Sequence, residues 1–195
     1  MPDKPTSDPL EVLLAHDAWA TRRQVELCKQ LTPDQFQQRF DIGLGSLHDN
    51  LSHVIGAVQR WTDRLHGRPP RPMLLAPKEY AHLGGPRVER TPDQLIAISA
   101  EASAELAAFA RDHRADLGRT VVLEWPGTAD RKKKRYTFTH AAVIVHVCTH
   151  GMHHRSQCTN MLKRLGVPGL SDKLPDLSAV DWQAENEIPA VEIPA

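Results

Sequence analysis

Residues 146–157 read HVCTHGMHHRSQ, from His146 to Gln157. Extended in both directions, this stretch carries Val143, Val147, His150, His154, Cys158, Met161 and Leu165 at alternating spacings of four and three, the pattern of a helix with one face turned toward a core. The pattern stops at Gly166 with Pro168 beyond, the usual signal for a helix C-terminus. At about 100° per residue, His150 and His154 lie roughly 40° apart and one turn above each other, so both imidazoles can reach one metal ion. They also occupy core positions, between Val147 and Met161, where a ring nitrogen needs a hydrogen-bond partner or a metal. His146 and His153 border the same face, as supporting donors or as bystanders. A metalloprotease of the His-Glu-x-x-His type is excluded, because the residue after His150 is Gly151 and the glutamate base is missing.

Working outward, three more long helices are legible. Asp8-Pro9-Leu10-Glu11 supplies an N-cap acceptor, a proline at the first helical position and a carboxylate three residues after the cap, so the first helix is expected from about residue 9 to Leu31. Thr32-Pro33-Asp34-Gln35 repeats this grammar and opens a short helical turn, and Thr91-Pro92-Asp93-Gln94 repeats it again. After the latter, Leu95, Ser99, Ala102, Leu106, Phe109 and His113 form one stripe. From Ser46 to His66, Leu47, Leu51, Val54, Val58, Trp61 and Leu65 keep the same rhythm until Gly67 and the prolines Pro69, Pro70 and Pro72 end it. Residues 67–90 read as a connecting loop. Residues 120–125 (TVVLEW) and 135–139 (RYTFT) have the β-branched and aromatic content of strands around Pro126 and Gly127, a small β-hairpin before the last helix. The expected fold is all-α, a four-helix bundle over residues 8–166 with this hairpin inserted. Residues 167–195 mix Pro168, Pro175, Pro189 and Pro194 with six carboxylates and the single basic residue Lys173, and are expected to be an extended surface tail with Asp181-Trp182 as its anchor. A contact of Trp182 with a partner subunit or with the site is the alternative.

The chain has 195 residues, long enough for one sizeable core without disulfide staples. Its 24 Lys plus Arg balance 24 Asp plus Glu, which argues against a general nucleic-acid binder or a membrane-surface protein and points to small partners. No apolar run approaches the ~18 residues of a membrane span, and the N-terminal MPDKPTSDPL has no apolar signal region. Cys28, Cys148 and Cys158 are an odd, sparse set that suits a reducing compartment, so a cytoplasmic location is expected. The composition is unusual in histidine: five of eleven fall within the fifteen residues from His140 to His154. The run Arg131–Arg135 is the one concentrated charge and, at the hairpin turn, reads as a solvated loop rather than a nucleic-acid patch.

Two histidines are too few to hold a catalytic metal, so a third ligand is expected from another helix. His48 and His53 lie on opposite flanks of the apolar stripe of their helix, each about 100–120° from its centre, and periodicity does not choose between them. His16, followed by Asp17, is a further candidate, and Cys158, one turn below His154, is either a ligand or a small buried hydrophobe. Arg155 faces away from the ligand stripe, as a structural ion-pair partner, and Met152 and Cys148 on the opposite side read as packing residues.

At these residues the chain resembles the DinB/YfiT-like superfamily. The likeness is carried by HVCTHGMHHRSQCTNMLKRLG, which is similar to that family's histidine, three residues, then His-His-Arg-x-Gln pattern, by SLHDNLSHVIGAVQRW, and by AHDAWATRRQVELCKQL with Trp19, so that it spans roughly residues 8–170. The family commonly has glycine where Ser156 stands between Arg155 and Gln157. The resemblance implies His53, His150 and His154 as metal ligands in a four-helix bundle, one divalent ion (zinc or nickel), frequent homodimers, and a small-molecule substrate. Characterised relatives include thiol-dependent S-transferases and a maleylpyruvate isomerase that use low-molecular-weight thiols, so thiol transfer to a small electrophile is the expected activity. A metal-dependent hydrolase and a non-catalytic, metal-binding or stress-responsive bundle, its metal shell closed by a fourth ligand such as Cys158, are the competing expectations.

Overall fold

A computed structural model of the chain describes residues 5–75, 87–125, 132–167 and 177–189. Its elements are α1 (Pro9–Cys28), the short α2 (Pro33–Gln37), α3 (Leu47–Leu65), α4 (Pro92–Asp112), a 3₁₀ turn (Arg114–Asp116), β1 (Thr120–Trp125), β2 (Lys134–Thr139), α5 (His140–Leu165) and α6 (Ala179–Asn186). The protein is mostly helical, with one antiparallel hairpin in which Thr120 opposes Thr139 and Trp125 opposes Lys134.

The helix starts follow the capping chemistry. The Asp8 side chain accepts from the Leu10 N–H, and Thr32 and Thr91 each form a reciprocal capping box with Gln35 and Gln94. Ser46 accepts from the Asp49 N–H, and Thr139 from the Ala142 N–H. At its other end α5 stops on Gly166, whose φ of 60° places it in the left-handed region that favours glycine. α1 ends at Cys28, a turn short of the expected Leu31.

The four long helices pack pairwise, α1 on α4 and α5, and α3 on α4 and α5, while α2 lies on α3. Their apolar faces build two clusters. One gathers Val25, Cys28, Phe36, Leu47, Leu51, Ile55, Leu95, Cys158, Met161 and Leu162. The other gathers Val58, Leu65, Ala102, Leu106, Phe109, Ala110, Val143, Ile144 and Val147. Along α5 the second cluster ends at Val147 and the first begins at Cys158, so the polar stretch His150–Gln157 falls between two hydrophobic blocks. On α3 the same changeover lies between Ile55 and Val58, beside His53.

Two expectations are corrected. Residues 179–186 are not extended: they form α6, capped by Ser178, packed against α1 and anchored by Trp182, which is 6% exposed. The His16 Nε2–H donates to the Leu177 carbonyl at 2.7 Å and ties this segment down, which uses the histidine in a structural role. Met152 is not a packing residue, since it is 60% exposed; α5 needs only part of its circumference to reach α1 and α3. Of the charged run, Arg131 lies outside the described residues, while Arg135 and Lys133 pair with Glu124 across the hairpin. No helix among the described residues is long and apolar enough to cross a membrane.

Candidate metal centre

The face of α5 that carries His150 and His154 meets the face of α3 that carries His53. Each of the three side chains is partly buried, and each offers a ring nitrogen within 4.8 Å of the others. The Nε2 atoms of His53 and His150 are 3.2 Å apart. The ring centroids of His53 and His150, His53 and His154, and His150 and His154 are separated by 5.1, 4.9 and 4.6 Å. Two nitrogens held at 2.0–2.1 Å from a tetrahedral metal would lie about 3.3 Å apart, close to the His53–His150 separation. The group can therefore hold a divalent metal ion.

The tautomer of His154 follows from its neighbours. Its Nδ1 is 3.1 Å from Asn50 Oδ1 and 2.8 Å from Gln157 Oε1. Both amides are oriented by further contacts: Asn50 Nδ2 donates to the Ser46 carbonyl at 2.8 Å, and Gln157 Nε2 donates to His153 Nε2 at 2.9 Å. Each thus presents its oxygen, an acceptor only, so Nδ1 of His154 carries the proton and Nε2 is left as a lone-pair donor toward His53 and His150. The loop before α3 presses on this pair. A Cβ at Gly43, where φ is 54°, would lie 2.3 Å from Gln157 Oε1 and 2.5 Å from Asn50 Oδ1, so only glycine fits there.

Burial, then the neighbouring imidazoles, pushes the three rings away from protonation. His53 falls to about 4 through burial and His154, opposed by a hydrogen bond with the Leu75 backbone, and His150 falls to about 3 through burial and the surrounding histidines. His154 is lowered by burial, with Gln157 acting in the opposite sense. All three are neutral at pH 7, the state a metal requires.

The other candidates go elsewhere. His48 is fully buried, its Nδ1 2.9 Å from Asp49 Oδ1, and its Nε2 accepts the Arg90 N–H at 3.1 Å, so both nitrogens are committed. Burial pushes Cys158 up to about 12, and it packs, wholly buried, in the first hydrophobic cluster rather than joining the triad. On the opposite face of the same α5 stretch, Arg155 Nη1 binds Asp17 Oδ1 at 2.6 Å and Thr21 Oγ1 at 2.9 Å, both residues of α1, in a buried ion pair. Burial raises the Asp17 carboxyl above its ordinary value, and Arg155 opposes the shift.

The supporting residues Asn50 and Gln157 escape a reading based on metal-ligand types alone. The signal available for them is spacing: Asn50 lies three residues before His53, and Gln157 three after His154, so each shares a helix face with a ligand candidate.

A search of the curated proteins finds no match to the chain. The family model described as the DinB family matches residues 1–187, from ahead of α1 to the end of α6, and the chain belongs to the DinB family.

Proposed function

We propose that this protein is a metal-dependent enzyme in which His53, His150 and His154 hold one divalent ion, zinc or nickel, inside a four-helix bundle made by α1, α3, α4 and α5, and that it transfers a low-molecular-weight thiol to a small electrophile. The observation that carries the reading is the convergence of three neutral imidazoles within 4.8 Å, with the far nitrogen of His154 tied off by two amide oxygens. An ion held by these three neutral ligands would keep its full charge and would supply the Lewis acidity that favours the deprotonated form of an incoming thiol. The chain's own contribution is placement. Asn50 and Gln157 fix the His154 ring, the Leu75 backbone engages His53, and the two hydrophobic clusters flank the site along α3 and α5. Among the described residues no fourth side chain joins the group, which favours an open site over a closed structural one.

Elemental analysis of protein purified without a histidine tag tests the assignment. About one equivalent of zinc or nickel is expected, with loss in His150→Ala, and a metal content that this substitution leaves unchanged would refute the site. Asn50→Ala together with Gln157→Ala keeps all three ligands but removes both oxygens that fix His154, and is expected to weaken the metal about 10–100-fold in a chelator competition. Conjugation of a thiol such as bacillithiol, mycothiol or glutathione to an aromatic halide, assayed with and without the ion, tests the chemistry. No metal-dependent rate with any of them would leave a metal site without the proposed activity.

A further inference from the structure

A second group of histidines gathers at the other end of the long helices. His66 caps α3, His113 caps α4 and His140 opens α5, and all three rings pack on Phe109, with centroid distances of 5.0, 4.1 and 5.3 Å. Along α3 this end is eleven residues from His53 to Arg64, and along α5 ten residues from His150 to His140, so it lies about 15 Å from the triad. The histidines line a cavity of about 690 Å³ together with Arg64, Arg119 and the inner residues of β1, Val121 and Leu123. That volume is in the range of small-molecule sites. None of the three triad histidines reaches it.

The lining is cationic and incompletely matched. Arg68 is neutralised by Asp63 at 2.9 Å and by Glu105, and the wall residue Glu124 is taken by Arg135 at 2.6 Å. Among the described residues Arg119 has only Asp116 at 3.6 Å, with both side chains more than 60% exposed. Arg64 has no carboxylate within ion-pair distance among the described residues: it donates to the Arg60 carbonyl at 3.1 Å and stands over the Trp61 ring at 4.9 Å. Burial and the neighbouring Arg60 push Arg64 down to about 10, outweighing the attraction of Asp63. His140 is 5% exposed, yet its Nδ1 is sealed from solvent and has no hydrogen-bond partner among the described residues. A neutral ring in that position keeps Nδ1 bare and carries its proton on Nε2, the nitrogen left as a donor. His113 donates Nδ1–H to the Phe109 carbonyl at 2.9 Å, which fixes its ring against the floor of the cavity.

We infer that this cavity binds a small organic anion, a carboxylate or phosphate head held by Arg64, Arg119 and His140, with an apolar body against Leu65, Val121 and Leu123. Guanidinium and imidazole donors with little opposing charge, set beside aliphatic walls, recognise that combination, because charge-assisted hydrogen bonds reward the head and area burial rewards the body. A neutral molecule of the same shape leaves Arg64 as unmatched as before. The inference does not depend on the triad holding a metal.

The test is a titration of the full-length protein with benzoate, benzyl alcohol and inorganic phosphate at fixed ionic strength, followed by calorimetry and by amide chemical shifts. Benzoate is expected to saturate with a Kd below about 1 mM and to shift signals around His140 and Arg119. Benzyl alcohol is expected not to saturate, and phosphate to bind more weakly than benzoate for want of a body. Loss of one charge-assisted bond in Arg64→Met, and separately in the exposed Arg119→Ala, is expected to weaken benzoate about tenfold. His150→Ala is expected to leave it unchanged. Equal binding of alcohol and benzoate, indifference to both arginine substitutions in folded protein, or abolition by His150→Ala would each overturn the proposal.

Discussion

Gly151 shows how much one absent methyl can decide. In the sequence it matters as the residue that rules out a glutamate base after His150. In the structure it matters because α1 and α5 meet there: a Cβ at this position would lie 2.8 Å from Arg155 Nη1 and 2.9 Å from Asp17 Oδ1. The ion pair it would strike is buried at both ends, so neither partner can turn into water without leaving the other uncompensated. Ala is ordinarily the better helix residue by about 1 kcal/mol. Here overpacking, typically 1–3 kcal/mol, opposes that gain and is compounded by the displaced charges. Gly151→Ala is therefore expected to destabilise the protein by roughly 1–2 kcal/mol in urea unfolding, with the metal content unchanged because the atoms nearest the added methyl belong to Arg155 and Asp17 and not to the triad. A stabilised variant would mean that Arg155 and Asp17 separate at little cost.

At the scale of elements, the helix starts were the most legible feature, because each is written in side chains that act within four residues. Asp8, Thr32 and Thr91, read as caps from the sequence, all cap the helices that follow them, and the structure adds Ser46 and Thr139. The hairpin strands were legible for a similar reason, being local runs of β-branched and aromatic residues. α6 was not: Ser178-x-x-Asp181 carries a capping signal, but eight residues flanked by prolines and carboxylates show no apolar stripe. Its order comes from a distant surface. An isolated helix of that length is unstable in water, so α6 persists through Trp182, buried against α1, and through the hydrogen bond from His16 to Leu177. Trp182→Ala should then release α6 as a unit without unfolding the remainder. Hydrogen exchange is expected to show residues 179–186 lose protection while α5 keeps it, and the melting temperature to fall by only a few degrees. Cooperative loss of protection in α1 and α5 together would show instead that α6 is an integral part of the core. In the candidate site, the i, i+4 pair was legible from α5 alone, whereas periodicity left His53 and His48 equal and only the family resemblance chose His53. Both flank the same stripe, and only tertiary partners distant in sequence, Arg90 for His48 and the Leu75 backbone for His53, separate them.

For the whole molecule, the equal count of 24 basic and 24 acidic residues conceals an uneven response to acid. His53 and His150 have folded values of about 4 and about 3, below the ordinary 6.5, and His140 and His154 are shifted the same way. A base that is harder to protonate in the folded chain than in the unfolded one contributes no pH dependence above about 6.5. Below that value the unfolded chain takes up protons first, so stability falls as pH drops from about 6.5 toward 3. The lowered carboxylates Asp49 and Asp63 act in a lower window, whereas Asp17, raised by burial against the pull of Arg155, is relieved as the pH falls and acts in the opposite sense. Burial would raise Asp49, but His48 and Arg87 outweigh it and hold the carboxyl at about 2, and Asp63 is likewise lowered against burial by Arg71, so their contributions are lost only below about pH 4. Metal-free protein is thus expected to lose thermal stability already between pH 6.5 and pH 4.5, before the carboxylates titrate. His150→Ala should lose less over that interval, with His140 sustaining part of the slope. A divalent ion bound only to the folded state adds about 2.7 kcal/mol at a hundredfold excess over its Kd, and it competes with the same protons at the same nitrogens. Added zinc or nickel should consequently raise the melting temperature at pH 7.5 and lose this effect near pH 4.5. A metal-induced increase that persisted undiminished at pH 4.5, or that survived His150→Ala, would place the ion on carboxylates elsewhere and not on the triad.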